Sequence, residues 1–173
     1  MKTRYIDLLE QTFDFPQEEF QFDPQGHLTW NDLPLMDILE RHGTPLRITW
    51  LPQIGQKINQ ARACFAKAFK EHDYNGTYDY FYCTKSNHFS YVIDQVVRKG
   101  VSLETSSAYD IEIVELLMAS GKLDRGATIL CNGYKDQRYI DNIGRLANSG
   151  VRVIPIIDNM GELDRLDQVI KVP

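Results

Sequence analysis

The chain has 173 residues, of which 43% are hydrophobic, and this is enough to bury the core of one globular domain. Its formal charge of −5 and its sequence pI of about 5.3 make it mildly acidic, without a block of basic residues. The composition therefore argues against nucleic acid or an anionic membrane surface as a partner.

Neither the N-terminus nor the cysteines point to export or to a membrane. Charged residues interrupt residues 1–7, so we expect no signal peptide, and no apolar run is long enough to cross a bilayer. Cys64, Cys83 and Cys131 are odd in number, lie far apart and form no CxxC pair. They fit reduced thiols of a cytoplasmic protein better than a disulfide frame or a zinc site.

The first 50 residues predict irregular structure that contains a β-hairpin. Residues 20–22 and 27–30 alternate apolar and polar side chains around the turn signal Asp23-Pro24-Gln25-Gly26. A short helix is predicted over residues 35–41 and a strand over residues 45–50.

Beyond residue 50 the pattern changes to regular alternation of helix and strand. A helix is predicted over residues 52–71, because Ile54, Ile58 and Phe65 recur at helical spacing. Four strand–helix units follow, with strands over 78–84, 101–105, 127–132 and 151–157 and helices over 89–98, 108–120, 137–149 and 161–170. Three of these helices end at a glycine, as left-handed C-caps would.

Repeated βα units with apolar strands that do not alternate predict a parallel sheet with right-handed crossovers. Four such units fit either a small open α/β sheet or half of a (β/α)₈ barrel, and periodicity leaves both open. Pro155 departs from this pattern, because it removes a hydrogen-bond donor inside the fourth strand.

Lys85, at the end of the first of these strands, is the candidate for chemistry. The carboxyl ends of parallel strands are where α/β folds place their active sites. Lys85 either extends its ammonium group to solvent while its stem packs, or acts as a desolvated nucleophile that forms a Schiff base with an aldehyde.

Polar residues that follow the second and third strands are expected on the same edge as Lys85: Glu104, Ser106, Ser107 and Asn132. Together they could surround a polar cofactor. N-capping explains Ser106, Ser107 and Asp110 equally well, and capping is the favoured interpretation of Asp136. The sequence has no GxGxxG, Walker or HExxH motif.

Three of these segments resemble one family. Tyr82-Cys83-Thr84-Lys85-Ser86-Asn87 is similar to the Y-x-x-K-x-N signature of the pyridoxal-phosphate decarboxylases of the alanine-racemase-like barrel class, which act on ornithine, diaminopimelate or arginine. The segment LETSSAYD, at 103–110, resembles the L-E-x-x-S-x-x-E/D segment of the biosynthetic arginine decarboxylases. ILCNGYKD, at 129–136, with Tyr139-Ile140, resembles their V-C-N-G-Y-K-D-x-x-Y-I segment.

Gly43-Thr44-Pro45-Leu46 is similar to the G-T-P-L with which the chain enters the barrel in this class, so the resemblance covers about residues 15 to 160. It implies an α/β fold in which residues 51–173 form the first four βα units of a TIM-like (β/α)₈ barrel that binds pyridoxal phosphate. Residues 1–50 would then be an N-terminal segment whose hairpin belongs to a second β domain. The family more often has valine where this chain has Thr84.

The resemblance also implies roles. Lys85 would hold pyridoxal 5'-phosphate as a Schiff base, Glu104 would lie beside it and orient it, and Asn87 and Asn132 would support the same edge. The implied reaction is decarboxylation of an amino acid, with L-arginine as the expected substrate and agmatine as the product, in polyamine and spermidine biosynthesis. A homo-oligomer and dependence on magnesium are implied at the level of the family.

Two alternatives stay open beside this interpretation. One is a decarboxylase of another basic or diamino acid, or a racemase, and the other is a non-catalytic α/β module that pairs through its open sheet edges. The family's phosphate loop and the carboxylate beside its pyridine nitrogen cannot be placed in these 173 residues. We therefore expect an N-terminal part of a longer enzyme, which alone binds the cofactor weakly and has little or no activity.

Overall fold

A computed structural model describes residues 19–171, so residues 1–7, on which the exclusion of a signal peptide rests, lie outside the described residues. The chain separates into two compact units with the boundary between Thr49 and Trp50. Each unit contains its own sheet. The assignment of residues 1–50 and 51–173 to two domains of a larger fold stays a prediction.

Over residues 19–49, the first unit contains a small antiparallel sheet and a helix. Strand β1, Phe20–Phe22, pairs with β2, Leu28–Trp30, and β2 pairs with β3, Leu33–Pro34, which leads into helix α1, Leu35–His42. In the turn between β1 and β2, Asp23 accepts hydrogen bonds from the backbone N–H groups of Gln25 and His27 at 2.9 and 2.8 Å. The predicted hairpin is therefore confirmed, and its turn is closed by the expected aspartate.

The predicted strand over residues 45–50 is wrong. The segment has no regular secondary structure, and residues 45–49 are exposed. Pro45 has no backbone N–H, and no strand in the described part of the chain pairs with the segment. A strand exists only through its pairing with a neighbour, and the apolar residues of a short segment do not reveal whether that neighbour is there.

The second unit begins with helix α2, Leu51–Glu71, and continues as four strand–helix units. Its strands are β4, Phe81–Cys83, β5, Ser102–Thr105, β6, Ile129–Cys131, and β7, Val153–Pro155. Its helices are α3, Ser90–Val97, α4, Ala108–Ala119, α5, Gln137–Asn148, and α6, Met160–Val169. Every element predicted beyond residue 50 is present, and the strands are shorter than their apolar runs.

The four strands form one parallel sheet in the order β4-β5-β6-β7, so the α/β class is confirmed. The core joins strand residues to helix residues that are fully buried: Leu103, Ile129, Ile111, Val114, Ile140 and Ile143. The three glycines at the predicted helix ends have φ values of +58°, +70° and +88°, as left-handed C-caps require: Gly100, Gly121 and Gly150.

Pro155 fits the position of its strand. In the described sheet β7 pairs only with β6, so one side of β7 needs no donors from this sheet. Pro155 lies opposite Cys131, and the N–H of Ile156 donates to the Cys131 carbonyl at 2.9 Å. The neighbouring residue thus supplies the hydrogen bond that a proline cannot.

Candidate active site

The carboxyl ends of β4, β5 and β6 meet at one edge of the parallel sheet. Cys83 lies opposite Glu104, and Thr105 lies opposite Cys131. The residues at or just beyond these strand ends are therefore neighbours. This edge is called the rim below, and its polar residues are Thr84, Lys85, Glu104 and Asn132.

Lys85 lies in the turn that follows β4, and it is exposed to solvent. The N–H of Ser86 donates to the Cys83 carbonyl at 3.1 Å, which turns the chain away from the sheet directly after the strand. Of the two alternatives for Lys85, the exposed residue fits the one in which its side chain reaches solvent, and its role toward a cofactor stays a prediction. The exposed amine is open to a reactant from solution.

Thr84 holds the base of this turn to the neighbouring strand. It is fully buried, and both its N–H and its Oγ1 donate to the backbone carbonyl of Glu104 at 3.0 Å. The threonine hydroxyl adds a second hydrogen bond to a carbonyl that the backbone already reaches. The residue before Lys85 is thus fixed to the strand that carries Glu104.

Asn132 and Glu104 contact each other across the ends of β5 and β6. Nδ2 of Asn132 donates to Oε1 of Glu104 at 3.1 Å, and Oδ1 of Asn132 accepts from the N–H of Gly133 at 2.8 Å. Both side chains are half-buried. The structure brings these two predicted residues together, and their roles toward a cofactor stay predictions.

Asn87 makes local hydrogen bonds instead. Its Oδ1 accepts from the N–H of Phe89 at 3.1 Å, and its carbonyl accepts from the Tyr82 hydroxyl at 2.9 Å. The side chain thereby closes the turn that enters α3, as asparagine commonly does. Its contribution to the rim is to shape the segment that follows Lys85.

The capping interpretation is confirmed for Ser107, Asp110 and Asp136, whereas the Ser106 hydroxyl donates to Asp110 and caps no helix. Ser107 Oγ accepts from the N–H of Asp110, while Asp110 Oδ2 accepts from the N–H of Ser106 at 2.9 Å. Asp136 accepts from the N–H of Tyr139 at 2.8 Å and begins α5. These side chains accept hydrogen bonds from backbone N–H groups at the helix starts, as N-cap and capping-box residues do.

Lys135, to which the sequence assigned no role, is a buried lysine in the loop that follows β6. Its side chain is fully buried and forms an ion pair with the fully buried Glu162, with Nζ and Oε2 3.2 Å apart. Nζ also donates to the Gly133 carbonyl at 2.9 Å and to the Ile156 carbonyl. A buried lysine requires such partners, because an unpaired ammonium group is costly to desolvate.

A signal for Glu162 was present in the sequence. Asn159 and Glu162 stand three residues apart at the start of α6, and Asn159 Oδ1 accepts from the N–H of Glu162 at 3.1 Å. Burial raises the pKa of Glu162, but hydrogen bonds from the Asp158 and Lys135 N–H groups and the Lys135 ammonium group outweigh it. The net effect places the Glu162 pKa below its ordinary value.

A second buried polar cluster lies behind the rim. The hydroxyls of Thr105 and Tyr139 are 2.8 Å apart, and Thr105 also donates to the Leu130 carbonyl at 3.3 Å. Burial raises the pKa of both the Cys131 thiol and the Tyr139 hydroxyl. These groups are held neutral in the core, so they support the end of β6 and do not act as nucleophiles.

Residues 19–171 contain neither a candidate metal site nor a candidate membrane span. No group of three or more His, Cys, Asp or Glu side chains in that range is arranged to hold a metal ion. No helix in the same range has the length and apolarity needed to cross a membrane.

Comparison with protein families places most of the second unit in one family. The family model described as "Pyridoxal-dependent decarboxylase, pyridoxal binding domain" matches residues 53–172. The match includes all three rim motifs. It begins just inside α2 and extends past the end of α6.

Curated relatives of the chain include biosynthetic arginine decarboxylases. The chain is 32% identical to the enzyme of Nostoc sp. over 165 residues, which is 86% of this chain and 24% of the relative. It is 33% identical to the enzyme of Gloeobacter violaceus over 126 residues, which is 70% of this chain and 19% of the relative. The chain thus spans about a quarter or less of the length of these relatives.

A solved structure has the same arrangement. The crystal structure of the biosynthetic arginine decarboxylase of Campylobacter jejuni matches 89% of this chain with a TM-score of 0.69 at 26% identity. The matched region is 27% of that chain. This likeness supports the fold expected from the rim motifs.

Proposed function

We propose that this chain, which belongs to the pyridoxal-dependent decarboxylases through their pyridoxal-binding domain, supplies the lysine that holds pyridoxal 5'-phosphate in an enzyme that decarboxylates L-arginine. The observation that carries the proposal is the contrast between Lys85, at the rim, and Lys135, in the loop after β6. Lys85 is exposed, whereas Lys135 is fully buried and paired with Glu162. Only the first of the two is placed to react with an aldehyde from solution.

The residues present fit the aldehyde end of the cofactor. Covalent capture of an aldehyde requires an accessible primary amine, which Lys85 offers directly beyond β4. Thr84 fixes the base of that turn to Glu104, whose carboxylate faces Asn132. When bound, pyridoxal phosphate supplies an electron sink for the charge left by loss of carbon dioxide.

The chain's own residues would bind the cofactor and orient the groups around it. Lys85 holds the cofactor covalently through Nζ. Glu104 offers an oriented acceptor for a hydrogen bond from a group at the rim, since Asn132 fixes one of its carboxylate oxygens at 3.1 Å. Asn87 keeps the turn after Lys85 in shape through its hydrogen bond to Phe89.

The choice of L-arginine rests on the similarity to the biosynthetic arginine decarboxylases of Nostoc and Gloeobacter. The product would be agmatine. Cytoplasmic polyamine biosynthesis, a homo-oligomer and dependence on magnesium belong to the same proposal and rest on the family resemblance.

Borohydride trapping tests the assignment of Lys85. The chain is incubated with pyridoxal phosphate, reduced with borohydride and digested, and the peptides are read by mass spectrometry. We expect the added mass on the peptide that contains Lys85, its loss in Lys85→Ala, and its persistence in Lys67→Ala, which changes an exposed lysine on α2. A label on Lys135, or equal labelling of all exposed lysines, contradicts the assignment.

Substrate choice is tested separately, in a chimera in which this chain replaces the matching part of the Nostoc enzyme, because the chain spans 24% of that relative and alone is expected to have little or no activity. Amine formation from L-arginine is compared with formation from ornithine and diaminopimelate. Agmatine should be the main product. A larger yield from another amino acid contradicts arginine as substrate and leaves the assignment of Lys85 standing.

A further inference from the structure

Lys135 ties three separate segments together from inside the protein. Its Nζ donates to the Gly133 carbonyl in the loop after β6, to the Ile156 carbonyl after β7, and to Glu162 in the first turn of α6. The Lys135 side chain and its carboxylate partner are both fully buried. One cation therefore fixes where the loop after β6 leaves the sheet.

Hydrogen bonds, joined through the covalent structure of Glu104, lead from this loop to Thr84, the residue before the proposed cofactor lysine. Gly133 donates to Asn132 at 2.8 Å, and Asn132 donates to Glu104 at 3.1 Å. The Glu104 carbonyl accepts from Thr84, the residue before Lys85. The series crosses the ends of β6, β5 and β4 in turn.

The loop also passes close to the segment after β5. Gly133 has a φ of +78°, and a Cβ at this position would lie 3.1 Å from the Ser106 carbonyl. The loop therefore lies near Ser106 and is bonded to the Lys135 ammonium group through the Gly133 carbonyl. Its position sets the direction in which Asn132 presents its amide.

We propose that Lys135, paired with Glu162, is a positioning residue for the cofactor site. By fixing the Gly133 carbonyl it aims the Asn132 amide at Glu104, and so sets the affinity with which the rim around Lys85 takes up pyridoxal phosphate. This inference rests on the proposed function of Lys85. It adds a requirement for two residues that do not touch the cofactor.

If the pair had only a structural role, its removal would change the stability of the chain and leave the uptake of pyridoxal phosphate unchanged. A buried ion pair can often be replaced by neutral groups without loss of stability, whereas removal of one partner leaves an uncompensated charge. Lys135→Met with Glu162→Gln removes both charges and keeps one amide oxygen, which can accept from the N–H of Lys135 or of Asp158 but not from both, because the two donate to different carboxylate oxygens. The new side chain at 135 cannot donate to the Gly133 carbonyl, so stability and positioning are separated.

The experiment measures two quantities for each variant of the full chain. One is the urea midpoint of unfolding, and the other is the pyridoxal phosphate concentration that gives half-maximal borohydride trapping on Lys85. For the double variant we expect a midpoint closer to that of the wild type than the midpoint of Lys135→Met alone, and a half-saturation raised about tenfold, the effect of one lost charge-assisted hydrogen bond. Lys122→Met, which breaks the surface pair with Asp94, should change neither.

Asn132→Ala keeps the proposal testable if the double variant fails to fold, because it leaves the buried pair intact. It should raise the half-saturation by a similar factor, and adding it to the double variant should raise it no further. Wild-type half-saturation in Asn132→Ala or in a folded double variant overturns the positioning role. Absence of trapping on Lys85 in the wild type overturns the proposed function as well.

Discussion

The amide of Asn132 faces the carboxylate of Glu104, with Nδ2 and Oε1 3.1 Å apart. The other end of the amide accepts from the Gly133 N–H at 2.8 Å, so a flipped amide would lose both hydrogen bonds. Glu104 lies in β5 and Asn132 directly follows β6, so this contact joins two of the three motifs. The contact fixes the orientation of the Glu104 carboxylate and of the Asn132 amide at the rim.

Asn132→Asp should place two carboxylates against each other at the rim. Like charges at this distance raise the pKa of one of the two facing carboxyls above its value in the unfolded chain. The variant should therefore be less stable than Asn132→Ala at pH 7 and approach it as the pH falls through the raised pKa. Urea unfolding of both variants at pH 7 and pH 5 measures this, and an equal difference at the two pH values contradicts it.

The sequence predicted the helices and strands of the second unit because their signals are local. Ile54, Ile58 and Phe65 mark one face of α2, and the glycines after α3, α4 and α5 mark where those helices end. The strand predicted over residues 45–50 was wrong because pairing is not local. The ends of strands are not predicted well for the same reason, because an apolar run continues beyond the last paired residue.

The same limit separates the two lysines of the site. A motif identified Lys85 at a strand end, but its exposure depends on the turn that follows, so the sequence left open whether its side chain reaches solvent. Lys135 is buried because Glu162, 27 residues further along the chain, reaches it from the first turn of α6. No local sequence pattern indicates that Lys135 and Glu162 are paired. The contact of Asn132 with Glu104 was within reach, because parallel strands bring their ends together.

Glu162→Gln should change how stability depends on pH. The hydrogen bonds and the Lys135 ammonium group outweigh burial and place the pKa of Glu162 below its ordinary value in the folded chain. Its stabilising contribution is therefore complete above its ordinary pKa, about 4.3, and is lost as the pH falls through the lower folded pKa.

The difference in unfolding free energy between wild type and Glu162→Gln should be constant from pH 7 to about pH 5 and shrink below about pH 4. Urea unfolding across that range measures it. Glu71→Gln, which removes an exposed pair with Lys67, serves as the control and should change stability by less than about 1 kcal/mol throughout. A difference for Glu162→Gln that grows on acidification contradicts the prediction.

Gly133→Ala and Gly150→Ala form a matched pair. Both glycines have positive φ, +78° and +88°, so an alanine at either position carries backbone strain of about 1 to 2 kcal/mol. At Gly133 the new Cβ would also lie 3.1 Å from the Ser106 carbonyl, whereas at Gly150 it would meet nothing within 4 Å. Gly133→Ala should therefore destabilise the chain more, and only it should weaken trapping of pyridoxal phosphate on Lys85.

Urea unfolding and borohydride trapping of the two variants measure these effects. Equal losses of stability, with unchanged trapping in both, would mean that the backbone near Ser106 adjusts to the new Cβ without an effect on stability or trapping. That outcome would also weaken the inferred link from Gly133 to Asn132.

Thr84→Val and Thr105→Val remove the same hydroxyl from two buried strand-end positions. The Glu104 carbonyl keeps the Thr84 N–H as a donor, so Thr84→Val should change the unfolding free energy by less than about 1 kcal/mol. Thr105 Oγ1 contacts the buried Tyr139 hydroxyl at 2.8 Å, and its loss should destabilise by about 1 to 3 kcal/mol. Thermal or urea unfolding compares them, and a larger loss in Thr84→Val contradicts this ranking.

Cys131 should report on the opening of the rim through its thiol chemistry. It is fully buried at the end of β6, and burial raises its pKa, so little thiolate is available to a disulfide reagent. Cys64 is exposed on α2 and should react fast in the native chain, while Cys131 should react only through transient opening.

Lys135→Met should accelerate the reaction of Cys131 and leave that of Cys64 unchanged. Removal of one partner from a buried ion pair costs about 3 to 5 kcal/mol, so opening at the end of β6 should become more frequent by a hundredfold or more, on the order of that free energy. Peptide-resolved labelling with a thiol reagent over time measures each rate. Lys122→Met, at an exposed pair with Asp94, is the matched control and should alter neither thiol. Equal rates for Cys131 in wild type and Lys135→Met would show that the pair does not hold the end of β6 in place.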